Sequence, residues 1–451
     1  MGPVRPVRSV LGGVAVVISV LIAQPAAGQA PTGSQTQTPS TPVPLTQTRP
    51  AAPDVRPGAL PLSDIPGVLF PPLIGPDLLY APPARGPLTV TPSLAITEQY
   101  NDNIFSSNAN KQSDFITQFT PGLALQIQHP GFQWLSAFSF TAEIYADHSE
   151  LNNAANQLSF LTTASYQATQ GVSLSLTEGF NYGRNGTNLA TSGVSSGRQE
   201  SWSNVLSAGL GIQLTPRTTW NLSSAYTLER FASKDSQGSN TYRIGTGLSY
   251  VLTQRLNVTA GYDFAYLDID REPTTFTHTP RIGGSYQLTQ TLSATATAGP
   301  SFVVTDRDTT ITPSGNVSVV KAMSWGSMSA FYDASVGTTA GSGGPSDNQT
   351  FGGNISVGAL LRGLVIDFSP SYSRSGTLSS SRSNADVDTL TLNLSARYQV
   401  LRNISIIGSY TFLRQRASGR STNTGSNAGT NDVDQNIVTL GLQFGYPINF
   451  D

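Results

Sequence analysis

Three histidines, no cysteine and a thin scatter of acids and bases are all the reactive chemistry this 451-residue chain offers. His129 falls in a short turn, and His148 and His278 fall in long polar connections. No two of them have a spacing that would hold zinc or build a serine–histidine relay. Without cysteine there are no disulfides, thiol nucleophiles or thiolate ligands. Two spaced aspartate pairs, Asp306/Asp308 and Asp432/Asp434, have the oxygen chemistry for a calcium ion, but such pairs serve equally to keep a loop hydrated. The expectation is therefore no catalytic constellation, no metal, no cofactor and no enzyme. What remains is a sparse set of charges, Glu143, Glu229, Arg243, Asp263, Arg281, Asp367 and Arg397. Each lies on the polar parity of a segment whose other parity is apolar. Charges of both signs on a wet surface would steer solutes locally and give little ion selectivity.

The segments that must carry these charges repeat one pattern, clearest in the last of them. From Val438 to Phe450 one parity reads Val, Leu, Leu, Phe, Tyr, Ile, Phe, while the other is small or polar. A period of two puts one set on each face of a strand. Eighteen such stretches follow one another from residue 88. They fall near 88–100, 115–128, 133–146, 157–168, 172–182, 200–214, 219–230, 241–252 and 256–267. They continue at 280–288, 292–304, 311–321, 325–334, 350–361, 364–374, 387–400, 404–414 and 437–450. Every second connection is tiny, such as His129-Pro130-Gly131, Thr215-Pro216-Arg217 and Arg362-Gly363. The others are long and rich in Asn, Gly, Ser and Asp: 101–114, 147–156, 183–199, 231–240, 268–279, 305–310, 335–349, 375–386 and 415–436. This alternation predicts an all-β, transmembrane, antiparallel up-and-down barrel of about 18 strands. An even count returns both termini to the short-turn side, the periplasm.

Aromatics sort by strand end. Trp134, Trp220 and Trp325 start strands that leave short turns, Trp202 and Tyr242 start strands that leave long loops, and Tyr226, Tyr266, Tyr410 and Phe412 lie near upper ends. Two aromatic belts follow. Two positions resist. Glu178 has outward parity in mid-strand, which calls for a bulge at Gly179 or a protein contact. In strand thirteen, Trp325, Met328 and Phe331 share no parity, so sixteen strands is the alternative count.

Only 12% of residues are charged and the net charge is −2, which gives no reason to expect nucleic-acid binding. Arg5 and Arg8, the apolar stretch Val10–Ala23 and Pro25-Ala26-Ala27-Gly28 make residues 1–28 a secretory signal peptide. Residues 29–87 hold 15 prolines and read as a largely disordered periplasmic linker. Its more apolar part, residues 65–80, could dock on a surface or plug the barrel, which occupies 88–451. Barrels of this size leave an aqueous channel. Inward positions such as Thr389, Thr391, Asn393 and Ser395 suit uncharged hydrophilic solutes, and equally suit any lumen wall.

The stretch Pro92-Ser93-Leu94-Ala95-Ile96-Thr97-Glu98-Gln99-Tyr100-Asn101-Asp102-Asn103-Ile104-Phe105, followed by Ser113-Asp114-Phe115-Ile116-Thr117 and Thr120-Pro121-Gly122, resembles the opening of the beta-barrel porin 2 type of outer-membrane protein. Leu214-Thr215, Leu252-Thr253 and Leu288-Thr289 look like the turns of the same group. The motif residues are Tyr100, Asp102 and Asn103; Asp102 and Asn103 would close a turn through side-chain-to-backbone bonds. Many chains of that group end on the aromatic itself, where this one has Asp451 after Phe450. The resemblance implies an outer-membrane channel of a Gram-negative bacterium. Its partners would be membrane lipid, the barrel-assembly machinery acting through the last strand, and periplasmic polysaccharide-export components. A general diffusion porin and a plugged structural or adhesive barrel are the alternatives.

Overall fold

A computed structural model of the chain describes residues 87–185, 197–234, 236–306, 308–339, 344–358, 360–378, 383–421 and 432–450. The leader, nearly all of the linker with its 65–80 segment, and Asp451 lie outside the described residues. The strands are β1 (Leu88–Asn101), β2 (Asp114–His129), β3 (Phe132–Tyr145), β4 (Asn153–Thr169), β5 (Val172–Asn185) and β6 (Arg198–Thr215). Then come β7 (Thr218–Phe231), β8 (Ser239–Val251), β9 (Leu256–Ile269), β10 (Thr275–Thr289), β11 (Leu292–Thr305), β12 (Thr309–Met323) and β13 (Gly326–Thr338). The last are β14 (Pro345–Val357), β15 (Leu364–Thr377), β16 (Ser383–Leu401), β17 (Ile404–Ser421), β18 (Val433–Gly445) and β19 (Ile448–Phe450).

All nineteen belong to one sheet in which each strand from β1 to β17 pairs antiparallel with the next. The sheet closes because β1 pairs with β2 on one side and with both β18 and β19 on the other. β18 and β19 are one line interrupted at Tyr446-Pro447, since proline has no N–H for the ladder. The wall therefore has eighteen positions, and no edge is left unpaired.

The two faces differ as the alternation requires. On β18, Val438, Leu440 and Leu442 are exposed on the outside, while Gln435 and Gln443 are buried inside. The same holds on β1, where Leu94 and Ile96 face out and Thr89, Thr91 and Thr97 face in. A closed wall with an oily exterior is stable only where hydrocarbon surrounds it. The molecule is a transmembrane barrel. Among the buried apolar side chains, Leu267, Ile269, Val303, Val387, Leu413 and Val433 lie inward at the loop rim. The lumen is thus not uniformly polar as expected; near this rim it has a small core of its own.

Several local expectations are corrected. Strands run further into the polar connections than periodicity indicates, because hydrogen-bonded pairing outlasts the apolar alternation. His278 consequently lies in β10 on the outer face, bonded to Tyr262 Oη, rather than in a loop. β13 is regular: Met328 and Tyr332 face out, whereas Phe331 faces in over Gly352, and Trp325 sits in the turn before the strand. No register shift occurs at Gly179, so Glu178 keeps the outward parity of Leu174 and Leu176.

Two short turns depend on glycine with positive φ, Gly131 at 80° and Gly363 at 84°. A side chain at Gly363 would be strained and would lie 3.1 Å from Gln399 O. Gly363→Val should therefore cost about 1–2 kcal/mol. The check is the temperature at which the barrel loses its compact migration in dodecyl-sulfate gels, which should fall.

Candidate functional site

A strand in a wall alternates buried and exposed residues, yet Ala334, Ser335, Val336 and Gly337 of β13 are all buried in succession. From Ala334 on, this end of the strand parts from β12 while staying paired with β14, and it leans over the lumen. Its contacts agree. Arg243 on β8 donates through Nη2 to Val336 O at 3.0 Å, and Thr338 Oγ1 donates to Glu229 Oε2 on β7 at 3.4 Å. Neither β7 nor β8 neighbours β13 in the sheet. On the other side Thr339 Oγ1 meets Ser375 Oγ of β15. A cavity of about 30 Å³ remains under the segment, lined by Arg243, Asp263, Thr277, Ser301, Ser335 and Val336 among others. That is room for about one water.

The charges beneath this segment are paired. Arg281 holds Asp263 by one hydrogen bond, Nη2 to Oδ1 at 3.0 Å, and an ion-pair contact, Nε to Oδ2 at 2.7 Å. The pair fixes both side chains against the wall. Gly245 makes this possible, because a Cβ there would collide with Asp263 Oδ1. Arg243 lies within electrostatic reach of Asp263 and Asp333. Acids and bases thus alternate around the passage at short range.

A second segment folds in from the β1–β2 connection. Ile104 is buried with Ile116 and Tyr145, and Phe105 and Leu151 pack against them. Asn103, also buried, accepts from Ser107 N through Oδ1 at 3.1 Å and donates through Nδ2 to Asp434 O at 3.0 Å. Gln435 Nε2 donates to Asn103 O at 2.8 Å and to Asn101 Oδ1 at 3.0 Å. Asp102 does not close its own turn. It reaches across the seam to β18, accepting from Asn436 N and Nδ2, both at 2.7 Å, with Lys111 Nζ at 2.9 Å. Tyr100 points outward and packs on Phe115, ring centroids 5.1 Å apart. The far reach of the segment is Arg198 on β6, which donates to Tyr145 Oη at 3.1 Å and to Ile104 O at 3.4 Å. Beneath it, Glu143 is 1% exposed and accepts from Tyr145 Oη at 2.6 Å, Gln118 Nε2 at 3.1 Å, Gln157 Nε2 at 3.5 Å and Asn156 Nδ2.

Burial alone would raise the Asp102 carboxyl, but the bonds from Asn436 and the Lys111 ammonium outweigh it and hold it below its ordinary value. A depressed carboxyl stabilises the fold above its unfolded pKa, and that contribution is lost as pH falls through the folded one. Proteolysis of the β1–β2 connection should therefore be slow at neutral pH and quicken below pH of about 4. Asp102→Asn should be cut faster at neutral pH and lose part of that dependence.

Of the seven inward charges, Glu143 lies under one segment and Glu229, Arg243, Asp263 and Arg281 under the other. Asp367 and Arg397 stand apart on β15 and β16, paired across the ladder with Ser395 and Val365. Their arc of the lumen shows Ser369, Ser371, Thr391, Asn393 and Thr411, which are half-buried. The inward turn of β13 was not legible, because 335–349 reads as one more Gly/Ser loop. A signal was present: Ser335 to Ala340 carries no charge, Asn or Pro, unlike a solvated loop. Asp434 is engaged by Arg416 Nη2 at 2.8 Å and Asn108 Nδ2 at 3.0 Å. Among the described residues no group of acids and histidines is arranged for a metal.

No protein-family model matches the chain, and no curated relative does. Among solved structures it is similar to Acinetobacter baumannii OccAB4, with TM-score 0.41, 11% identity, and coverage of 81% of this chain and 100% of that one. Pseudomonas aeruginosa OpdO gives 0.42, 11%, 80% and 97%, and OpdQ from the same organism gives 0.41, 10%, 80% and 98%. At these scores the likeness carries nothing about solute or mechanism.

Proposed function

We propose that this barrel is an outer-membrane channel for small hydrophilic solutes, its passage narrowed from two sides at the loop rim. The observation that carries this is the pair of polar, internally bonded segments lying inside a cylinder whose outside is oily. A purely structural barrel has no need of matched charges held around its axis. Both signs sit close together there, so the field cancels over the width of a hydrated ion, and neutral solutes should pass as readily as charged ones. In this reading the termini and short turns face the periplasm, membrane lipid surrounds the wall, and the assembly machinery engages the last strand. The polysaccharide export implied by the opening motif draws no support from a mouth narrowed in this way.

Osmotic swelling of proteoliposomes in a graded series of neutral sugars tests the proposal. Mono- and disaccharides should enter at measurable rates and larger oligosaccharides much more slowly. No entry of any sugar would mean a plugged barrel, and equal entry of long oligosaccharides would mean an unobstructed one.

A further inference from the structure

Charge sorts by the end of the barrel. Among the described residues the short connections carry bases and no acid: Arg217 between β6 and β7, Arg255 between β8 and β9, Arg362 between β14 and β15, and Arg402 between β16 and β17. Lys321, near the end of β12, joins them on the outer face, where it pairs with the outward Met328. All of these bases are exposed. Asp367, near the start of β15, faces the lumen instead. At the other rim acids and bases are interleaved, Asp102, Asp147, Asp270 and Asp308 with Lys111 and Arg271. Arg217 and Arg255 take the same place in successive hairpins. Each donates its backbone N–H to a threonine Oγ1, Thr215 at 3.3 Å and Thr253 at 3.2 Å. Each carbonyl accepts from the following strand, Arg217 O from Val251 N at 2.9 Å and Arg255 O from Gln287 N at 2.8 Å. Strand spacing sets such hairpins about 10 Å apart along the rim. Apolar side chains run out to the same level, since Leu214, Leu252, Leu361 and Leu401 are at least half exposed beside these bases.

We infer that the short-turn rim binds anionic phospholipid of the leaflet it meets, with lipid phosphates lying against Arg217, Arg255, Lys321 and Arg362. Bases gathered on one rim without acids repel one another unless anions lie among them. A guanidinium fork matches phosphate oxygens, and the lysine adds a point charge on a stem long enough to reach the interface. The leucines beside the arginines favour a lipid over a soluble polyanion, because only a lipid brings acyl chains along with its phosphate. The inference needs only that the barrel is membrane-embedded, so it stands or falls separately from the solute it passes.

The barrel is reconstituted in vesicles of equal phosphatidylglycerol and phosphatidylcholine and extracted in mild detergent, and the lipid it retains is measured by mass spectrometry. Phosphatidylglycerol should be enriched roughly threefold or more over phosphatidylcholine. High salt should lower that ratio. The combined variant Arg217→Gln, Arg255→Gln, Lys321→Gln and Arg362→Gln should retain the two lipids about equally, while compact gel migration reports that the barrel folds. If it misfolds, Arg217→Gln with Arg255→Gln serves and should lose about half of the enrichment. Arg217→Lys, Arg255→Lys and Arg362→Lys together keep the charge and should keep most of it. Lys234→Gln with Arg271→Gln, at the other rim, should leave it unchanged. The inference is overturned if the unaltered barrel shows no enrichment or if the enrichment survives the glutamine variants. A loss from the lysine variant as large as from glutamine, or an equal loss from the Lys234 and Arg271 variant, would overturn it too.

Discussion

Removing residues 336–347 and joining Ser335 of β13 to its ladder partner Asn348 of β14 through Asn-Gly is expected to raise single-channel conductance roughly two- to threefold. The two-residue turn suits antiparallel strands, so the wall itself should close normally. What is lost is the stretch that carries the Val336 carbonyl and Thr338 to the opposite wall, and with it the cover over Arg243 and Glu229. Arg243→Ala should move conductance the same way by a smaller amount, since it frees only one of the two anchors. An unchanged conductance in the shortened barrel would place the segment outside the solute path.

Glu143→Leu is the second large effect, and it falls on stability. The carboxyl group accepts four hydrogen bonds in a site that excludes water. Leucine fills the space but leaves the Tyr145 hydroxyl and the Asn156 and Gln157 amides without their acceptor, while Gln118 Nε2 keeps Gln99 Oε1. Orphaned buried donors of this kind cost about 3 kcal/mol together, allowing for partial rearrangement. Urea unfolding in lipid vesicles should show the loss as a lower midpoint with an unchanged slope. Glu143→Gln keeps one acceptor oxygen and should lose about half as much. Because Tyr145 also receives Arg198 and packs on Ile104, the leucine variant should additionally loosen the β1–β2 segment and flicker between conductance levels.

The wall of this molecule could be read from its residues, and its interior could not. Alternation is a local property, so Val438, Leu440 and Leu442 declare their face without reference to any other strand. The same holds for the alternating turn lengths, which set eighteen positions before any pairing is known. Strand limits are less visible: Thr275–Thr279 pairs fully with β9 although the alternation begins only at Pro280, because pairing does not need an apolar parity. The folded-in segments depend on contacts between distant strands, Arg243 with Val336 and Arg198 with Ile104, and no periodicity encodes those. The charges marked as inward were visible one by one. Their partition, with five beneath the two segments and Asp367 and Arg397 elsewhere, follows from where β13 bends.

The account rests on which side of the wall is wet, and two adjacent residues of β16 decide it. Ser395 belongs to the lumen and Leu394, 43% exposed, to the outside. In proteoliposomes, Ser395→Cys should react quickly with a charged, membrane-impermeant thiol reagent and the bound group should reduce conductance, whereas Leu394→Cys should react at least tenfold more slowly and leave conductance unchanged. Rapid labelling of Leu394→Cys with a silent Ser395→Cys would contradict it.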